Sequence, residues 1–218
     1  MTFEEIEKNE TIRAYISKAD ESLVALGYTE HSFAHVTHVA AMAGYLLETL
    51  GYDAHTVELA KIAGYLHDIG NLVNRAEHSQ SGAVMAFRIL DKLGMPADEI
   101  ATVCSAIGNH DEGTGQPVSA FAAALILADK SDVRRSRVRD KATVALDIHD
   151  RVNYSVTDCH LEFDEQHTSI RLILTVDTEL GSVMEYLEIF MRRMLLCQKA
   201  AQALGLTFHL VINGQLLV

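Results

Sequence analysis

From residue 3 to about residue 137 the apolar residues recur at helical spacing, and most runs end at a glycine. A stretch so patterned folds into successive amphipathic helices that must bury their apolar faces against one another. Segments 3–8 and 11–26 come first, with Ile12, Tyr15, Ile16, Leu23 and Leu26 leading to Gly27. From His31 to Leu50 the stripe is Val36, Val39, Met42, Ala43, Leu46, Leu47 and Leu50, ended by Gly51. Asp53 or His55 opens a helix with Leu59, Ile62, Ala63 and Leu66 on its apolar face, stopping at Gly70. Ser79–Leu93 is followed by Gly94 and Pro96, and Asp98–Ile107 and Ser119 to about Arg137 complete the helical part. After residue 150 the texture changes to β-rich alternation over Tyr154–Phe163 and Ser169–Val176, with residues 164–167 as the turn between them. A helix over Glu179–Leu204 follows, and then Thr207–Ile212, Asn213-Gly214 and Gln215–Val218. Asn-Gly supplies the two positive φ angles of a type I′ hairpin turn. The expected fold is mainly α: a helical bundle over residues 1–145 with a small α+β appendage over residues 146–218.

The chain of 218 residues suffices for one core, or for a domain with an appendage. With 49% hydrophobic and 22% charged residues it has the composition of a soluble globular protein. The longest apolar run, Ala120–Ala128, is about half the ~18 residues that span a bilayer. Met1-Thr2-Phe3-Glu4-Glu5 is acidic where a signal peptide would be basic and then apolar. Cys104, Cys159 and Cys197 are odd in number and widely spaced, which suits reduced thiols. These features together lead to the expectation of a cytoplasmic protein without a membrane partner. The formal net charge of −12 repels polyphosphate at long range and argues against duplex nucleic acid. A small anionic substrate remains compatible, because a local cationic cluster overrides the mean field.

Chemistry gathers at Leu66-His67-Asp68-Ile69-Gly70, a histidine and a carboxylate together at the end of an apolar helix. Alone, the pair reads first as a helix end with an imidazole packed beside it. A buried carboxylate is costly without a positive partner, however, and a divalent metal is one. His35 shares a helix with Val39 and Met42, and Asp129 follows the apolar run Phe121–Ala128. His78 opens a helix, and His110 ends one. Six donors thus stand at the ends or inner faces of successive helices, an arrangement from which bundles assemble metal sites.

The ordered pattern His35-Val36-Thr37-His38-Val39, Ala63-Gly64-Tyr65-Leu66-His67-Asp68-Ile69-Gly70 and Leu127-Ala128-Asp129 resembles the HD superfamily of metal-dependent phosphohydrolases over roughly residues 28–140. The resemblance implies that His35, His67, Asp68 and Asp129 bind one metal. His78 and His110 match the two further histidines of its dinuclear branches, the diadenosine-polyphosphate hydrolases and the HD-GYP phosphodiesterases, in which Asp68 would bridge two metals. Divalent Fe, Mn, Zn, Ni or Mg is then the expected cofactor, two ions per chain. The stretch Asn109–Pro117 echoes the HD-GYP signature but departs from it at Asp111 and Gln116, and at Asn71 after Gly70. Cyclic-di-GMP hydrolysis is therefore not the expectation, and the diadenosine-polyphosphate branch fits better.

Around that set, His31 lies one helical turn before His35 and is a candidate for a substrate phosphate or an exposed helix start. His38 stands where the family usually has arginine, and His149-Asp150 repeats the dipeptide outside the matched region without a following glycine. Lys130, Arg134, Arg135, Arg137, Arg139 and Lys141 put six cations into twelve residues. On a continuing helix, Lys130, Arg134, Arg137 and Lys141 share a face. That face is either a solvated helix end or a phosphate-binding rim beside the metal. The expected reaction is attack of metal-activated water on a small phosphorylated molecule, with Asp68 and Lys130 as catalytic residues and Lys130, Arg134, Arg137 and His31 on the substrate. Two other readings use much the same residues: a di-iron oxygenase, and a nucleotide-sensing module without turnover. The C-terminal edge strands also offer a surface through which two copies could pair.

Overall fold

A computed structural model describes residues 1–139, 142, 144 and 147–218 of the chain. Helices α1 (Phe3–Glu7), α2 (Glu10–Ala25), α3 (Phe33–Thr49), α4 (Ala54–Leu66), α5 (His78–Lys92), α6 (Ala97–Gly108) and α7 (Ala120–Lys130) succeed one another. After them come α8 (Ile148–Ser155), strands β1 (Val156–Phe163) and β2 (Ser169–Val176), α9 (Val183–Ala203), β3 (Thr207–Ile212) and β4 (Gln215–Leu216). The starts are set by side chains that satisfy orphan backbone N–H groups. Asn9 accepts from Thr11 and Ile12, Asp53 from His55 and Thr56, and Ser119 from Ala122. Thr2 with Glu5, and Ser182 with Glu185, form reciprocal capping boxes.

Two close approaches decide where the functional side chains meet. Helices α3 and α4 pack together through small residues, among them Ala40 and Gly64. A Cβ on Gly64 would stand 2.7 Å from the Ala40 Cα, so only glycine permits this spacing, which sets His35 beside His67. Past α4, a 3₁₀ turn over Ile69–Leu72 abuts the start of α5. A Cβ on Gly70 would fall 2.0 Å from the His78 carbonyl oxygen, and this contact brings His78 to Asp68. Helix α7 lies against α3 and α4 on one side and against α9 on another.

The strands form one sheet in the order β1-β2-β3-β4. β1 and β2 pair antiparallel, β2 and β3 parallel across α9, and β3 and β4 antiparallel through Asn213-Gly214, both at positive φ. One face of β2 and β3 is apolar, with Ile170 opposite Phe208, Leu172 opposite Leu210 and Leu174 opposite Ile212, all buried. This face packs against α9. The buried apolar residues form one cluster running from Ile6 through α3, α4 and α7 into α9 and the sheet. Among the described residues no helix is long and apolar enough to cross a membrane, and all three cysteines are free.

Four elements differ from the sequence reading. Helix α7 stops at Lys130, not near Arg137, because the chain after it is captured by side chains. Ser131 donates to the Ala128 carbonyl, and Arg137 donates to the carbonyls of Asp132 and Glu30, drawing residues 131–137 into a turn. The expected cationic face of Lys130, Arg134, Arg137 and Lys141 therefore does not form, and Lys141 itself lies outside the described residues. His31 precedes α3 and is not part of it, because Ser32 opens the helix while its amide and hydroxyl bond to Glu30. Helix α8 carries only three apolar residues on its eight, Ile148, Val152 and Tyr154, too few to show a period, and it runs directly into β1. Helix α9 starts at the Ser182 cap and not at Glu179. The 145/146 boundary falls on residues outside the described ones.

Candidate metal centre

Four buried histidines from four helix ends or faces turn the same ring nitrogen inward. His67 Nδ1 faces the Gly64 carbonyl at 2.7 Å, His78 Nδ1 the Arg75 carbonyl at 3.0 Å, and His110 Nδ1 the Ile107 carbonyl at 2.6 Å. His35 Nδ1 faces the Asp132 carboxylate at 2.7 Å. These oxygens only accept, so each Nδ1 carries a hydrogen, and the Nε2 of each neutral ring presents a lone pair. The Nε2 atoms of His35 and His67 are buried with no hydrogen-bond partner. Those of His78 and His110 face each other at 3.2 Å. Unpaired buried acceptors and opposed lone pairs are costly by themselves and are relieved by a shared cation.

Two carboxylates join them. Asp68 Oδ2 lies 3.6 Å from His35 Nε2 and 3.4 Å from His67 Nε2, while its Oδ1 lies 3.5 Å from His78 Nε2. The single carboxylate of Asp68 thus spans two donor groups, and Asn71 Nδ2 donates to its Oδ1 at 2.9 Å. Asp129 Oδ1 stands 3.4 Å from His35 Nε2 and 3.7 Å from His67 Nε2. The sets His35, His67, Asp129 and His67, Asp68, His110 each hold their ligand atoms within 4.8 Å of one another. Imidazole nitrogen with carboxylate oxygen is a donor set suited to Fe, Mn, Zn or Ni.

The electrostatics carry the same imprint. Burial opposes protonation of His67, but the carboxylates of Asp68 and Asp129 outweigh it and push its pKa up to about 10. Burial likewise opposes ionisation of Asp68 and Asp129, yet His67 beside the first and Lys130 beside the second hold both carboxyls well below the usual range. His110 is pushed well below the ordinary imidazole value by burial and then by His67, and burial lowers His78. Burial thus favours the neutral form of His78 and His110, while the two carboxylates that hold a proton on His67 would hold a cation in its place, since ligation displaces that proton.

A family profile for the HD domain matches residues 32–155, more than half of the chain. The chain belongs to the HD domain family. Similarity to an uncharacterized protein of Methanocaldococcus jannaschii, MJ1020, reaches 26% identity over 211 residues, covering 86% of this chain and 81% of that one. Ribonuclease Y of Lawsonia intracellularis is 34% identical over 105 residues, 48% of this chain. Ribonuclease Y of Bacillus subtilis is 31% identical over 114 residues, 52% of this chain. The match spans only 18% and 20% of those two longer proteins. Among solved structures, a predicted HD superfamily hydrolase from an uncultured Thermotogales bacterium superposes with a TM-score of 0.45 at 25% identity, covering 60% of this chain and 73% of that one.

All six donors expected from the sequence (His35, His67, Asp68, His78, His110 and Asp129) meet in this HD-domain cavity. The basic residues divide. Lys130 is buried, its ammonium 2.7 Å from both Asp129 Oδ2 and Glu112 Oε2. It is held between these two carboxylates and does not line the polar cavity that Arg137 and His31 border. Arg134 folds back on Asp132 and borders a different cavity, beside Tyr154 and Cys159. Arg137 and His31 do line a polar cavity of about 470 Å³ adjoining the donors. Arg75, Glu112 and Arg193 line it as well. The Arg75 Nη1 is 3.8 Å from Asp68 Oδ1, and the His31 and His35 rings lie 5.4 Å apart.

Asp132, Asn71, Arg75, Glu112 and Arg193 were not legible as functional residues. Asp132 was hidden within the basic cluster, where it reads as a surface counter-ion, yet its carboxylate is fully buried against His35. Burial opposes its ionisation, but the His35 hydrogen bond and the Arg137 charge hold its carboxyl below the usual range. Asp132→Ala is expected to weaken metal affinity about 10–100-fold by freeing the His35 ring, as loss of a partner behind a ligating imidazole does. A competition titration against a chromophoric chelator measures this, and unchanged affinity would remove the assigned orienting role.

Proposed function

We propose that the chain is a metal-dependent phosphohydrolase acting on a small phosphorylated molecule, with two divalent ions held by His35, His67, Asp68 and Asp129 on one side and by Asp68, His78 and His110 on the other. The observation that carries this reading is the convergence of four buried imidazoles on Asp68 and Asp129, next to a polar cavity lined by Arg75, Arg137 and Arg193 together with Glu112, Asp147 and Asp150. Divalent ions so held would lower the pKa of a bound water toward neutrality and polarise a phosphoryl oxygen.

The residues supply the rest. Asp68 keeps its carboxylate between the two donor groups, steadied by Asn71 and Arg75. Lys130 fixes Asp129 from behind. The arginines stabilise the phosphate oxygens as charge builds on them, since guanidinium presents paired donors to an oxyanion. Two of the relatives carry the name ribonuclease, which is itself a phosphoester-cleaving activity. The net charge of −12 favours a small substrate over a long nucleic acid for this chain.

The test is a panel of phosphate mono- and diesters, offered to protein loaded in turn with Mn, Fe, Zn, Ni or Mg, with oxygen uptake followed in parallel. Metal-dependent phosphoester cleavage is expected with at least one ion. Oxygen consumption without any phosphoester cleavage would overturn the reading.

A further inference from the structure

Arg193 stands on α9, beyond the segment that the HD profile matches, yet it borders the same cavity as Arg75 and Arg137. Its guanidinium is held on two sides. The Nε donates to Glu112 Oε1 at 3.0 Å, and the Cζ lies 4.6 Å above the centre of the Phe190 ring. Glu112 is itself fixed, because its Oε2 meets the Lys130 ammonium at 2.7 Å, and that ammonium is also 2.7 Å from Asp129. A line of alternating charges, Asp129–Lys130–Glu112–Arg193, thus runs from a donor of the metal centre to the C-terminal helix.

These contacts set the plane of the guanidinium and engage only Nε. Among the described residues its two terminal nitrogens make no hydrogen bond, and the side chain is 23% exposed. A cation oriented on both flanks, with its paired donors left open at a cavity beside a metal centre, is arranged for an oxyanion. Arg75 sits on the loop before α5 and Arg137 in the turn after α7, so the three guanidiniums come from three separate parts of the chain. A cavity of about 470 Å³ is within the size range that encloses a small organic ligand.

We propose that Arg193 binds a phosphate oxygen of the substrate, so that the C-terminal helix forms a wall of the active site and contributes to its specificity. The assignment rests on the phosphohydrolase reading above. Arg193→Met and Arg193→Lys are compared with Arg192→Met, whose parent residue borders a different cavity beside Lys199. Each metal-loaded protein is measured for metal content, thermal midpoint, kcat and KM on a cleaved ester, and affinity for inorganic phosphate by calorimetry. Loss of a charged hydrogen bond corresponds to about tenfold or more in affinity. Arg193→Met should therefore raise KM and weaken phosphate binding by about that factor, with metal content unchanged. Arg193→Lys should recover part of the loss, and Arg192→Met should behave as the parent. Should Arg193→Met fail to fold, Arg193→Gln, which keeps a donor for Glu112, serves in its place. A variant with a lowered thermal midpoint but unchanged KM and phosphate affinity would overturn the proposal, since Arg193 would then only tie α9 to Glu112. If instead the parent protein loads metal and cleaves no phosphoester, the phosphohydrolase reading fails and takes this assignment with it.

Discussion

Asp68→Ala is expected to lower metal-dependent turnover by about 10³-fold or more, since the several kcal/mol a metal centre contributes correspond to about tenfold per 1.4 kcal/mol. The two oxygens of Asp68 face different imidazoles, Oδ2 toward His35 and His67 and Oδ1 toward His78. Its removal therefore weakens both donor groups together, whereas loss of His110 or Asp129 acts on one. Metal content per chain should fall with activity, and elemental analysis of dialysed protein reads this directly. Asp68→Asn separates charge from shape, because the amide fills the same volume but supplies no second anionic oxygen. Turnover lost in both variants with a native circular dichroism spectrum assigns the effect to the carboxylate. Full metal content and full activity in Asp68→Ala would remove the centre described here.

Much of this site could be read from local pattern because its donors occupy positions where polarity conflicts with burial. His35 amid Val36 and Val39, and Asp129 at the end of Phe121–Ala128, are expensive where they stand, and that cost is visible in the one-dimensional sequence. The glycines that stop α2, α3, α5 and α9, and the Asn213-Gly214 turn, are likewise local signals. What stayed hidden depends on tertiary partners. The end of α7 is decided by Arg137 reaching the carbonyls of Glu30 and Asp132, one of them 107 residues away, which no periodicity reports. Asp132 looks like one charge among many until His35 is brought to it. The parallel pairing of β2 with β3 across α9 requires knowing where α9 lies. Arg193 reads as one of two adjacent basic residues on an exposed helix face, and only the approach of Glu112 distinguishes it from Arg192. Cationic side chains carry the least positional information of all, because an exposed arginine and a site arginine satisfy the same local pattern. Lys130, held between Asp129 and Glu112, and Arg134, turned back on Asp132, illustrate that limit.

Metal removal should be the largest single perturbation of stability. The centre holds two carboxylates and four imidazoles in a buried space, and an ion that binds only the folded chain stabilises it by mass action. At free metal about 1,000 times the dissociation constant this amounts to about 4 kcal/mol. For a chain of this size, each kcal/mol moves the thermal midpoint by about 2–4 °C. Exhaustive chelation is therefore expected to lower the midpoint by about 8–16 °C, and readdition of the cognate ion should restore it. The four histidines and two aspartates come from α3, the α4 end, α5, the α6 end and α7, so the loss should appear as one cooperative shift of the helical core. Asp68→Ala supplies the control. With the carboxylate shared by both donor groups gone, that variant should unfold at the same temperature with and without chelator. A parent protein whose midpoint ignores both chelation and readdition would show that these donors hold no structurally coupled ion.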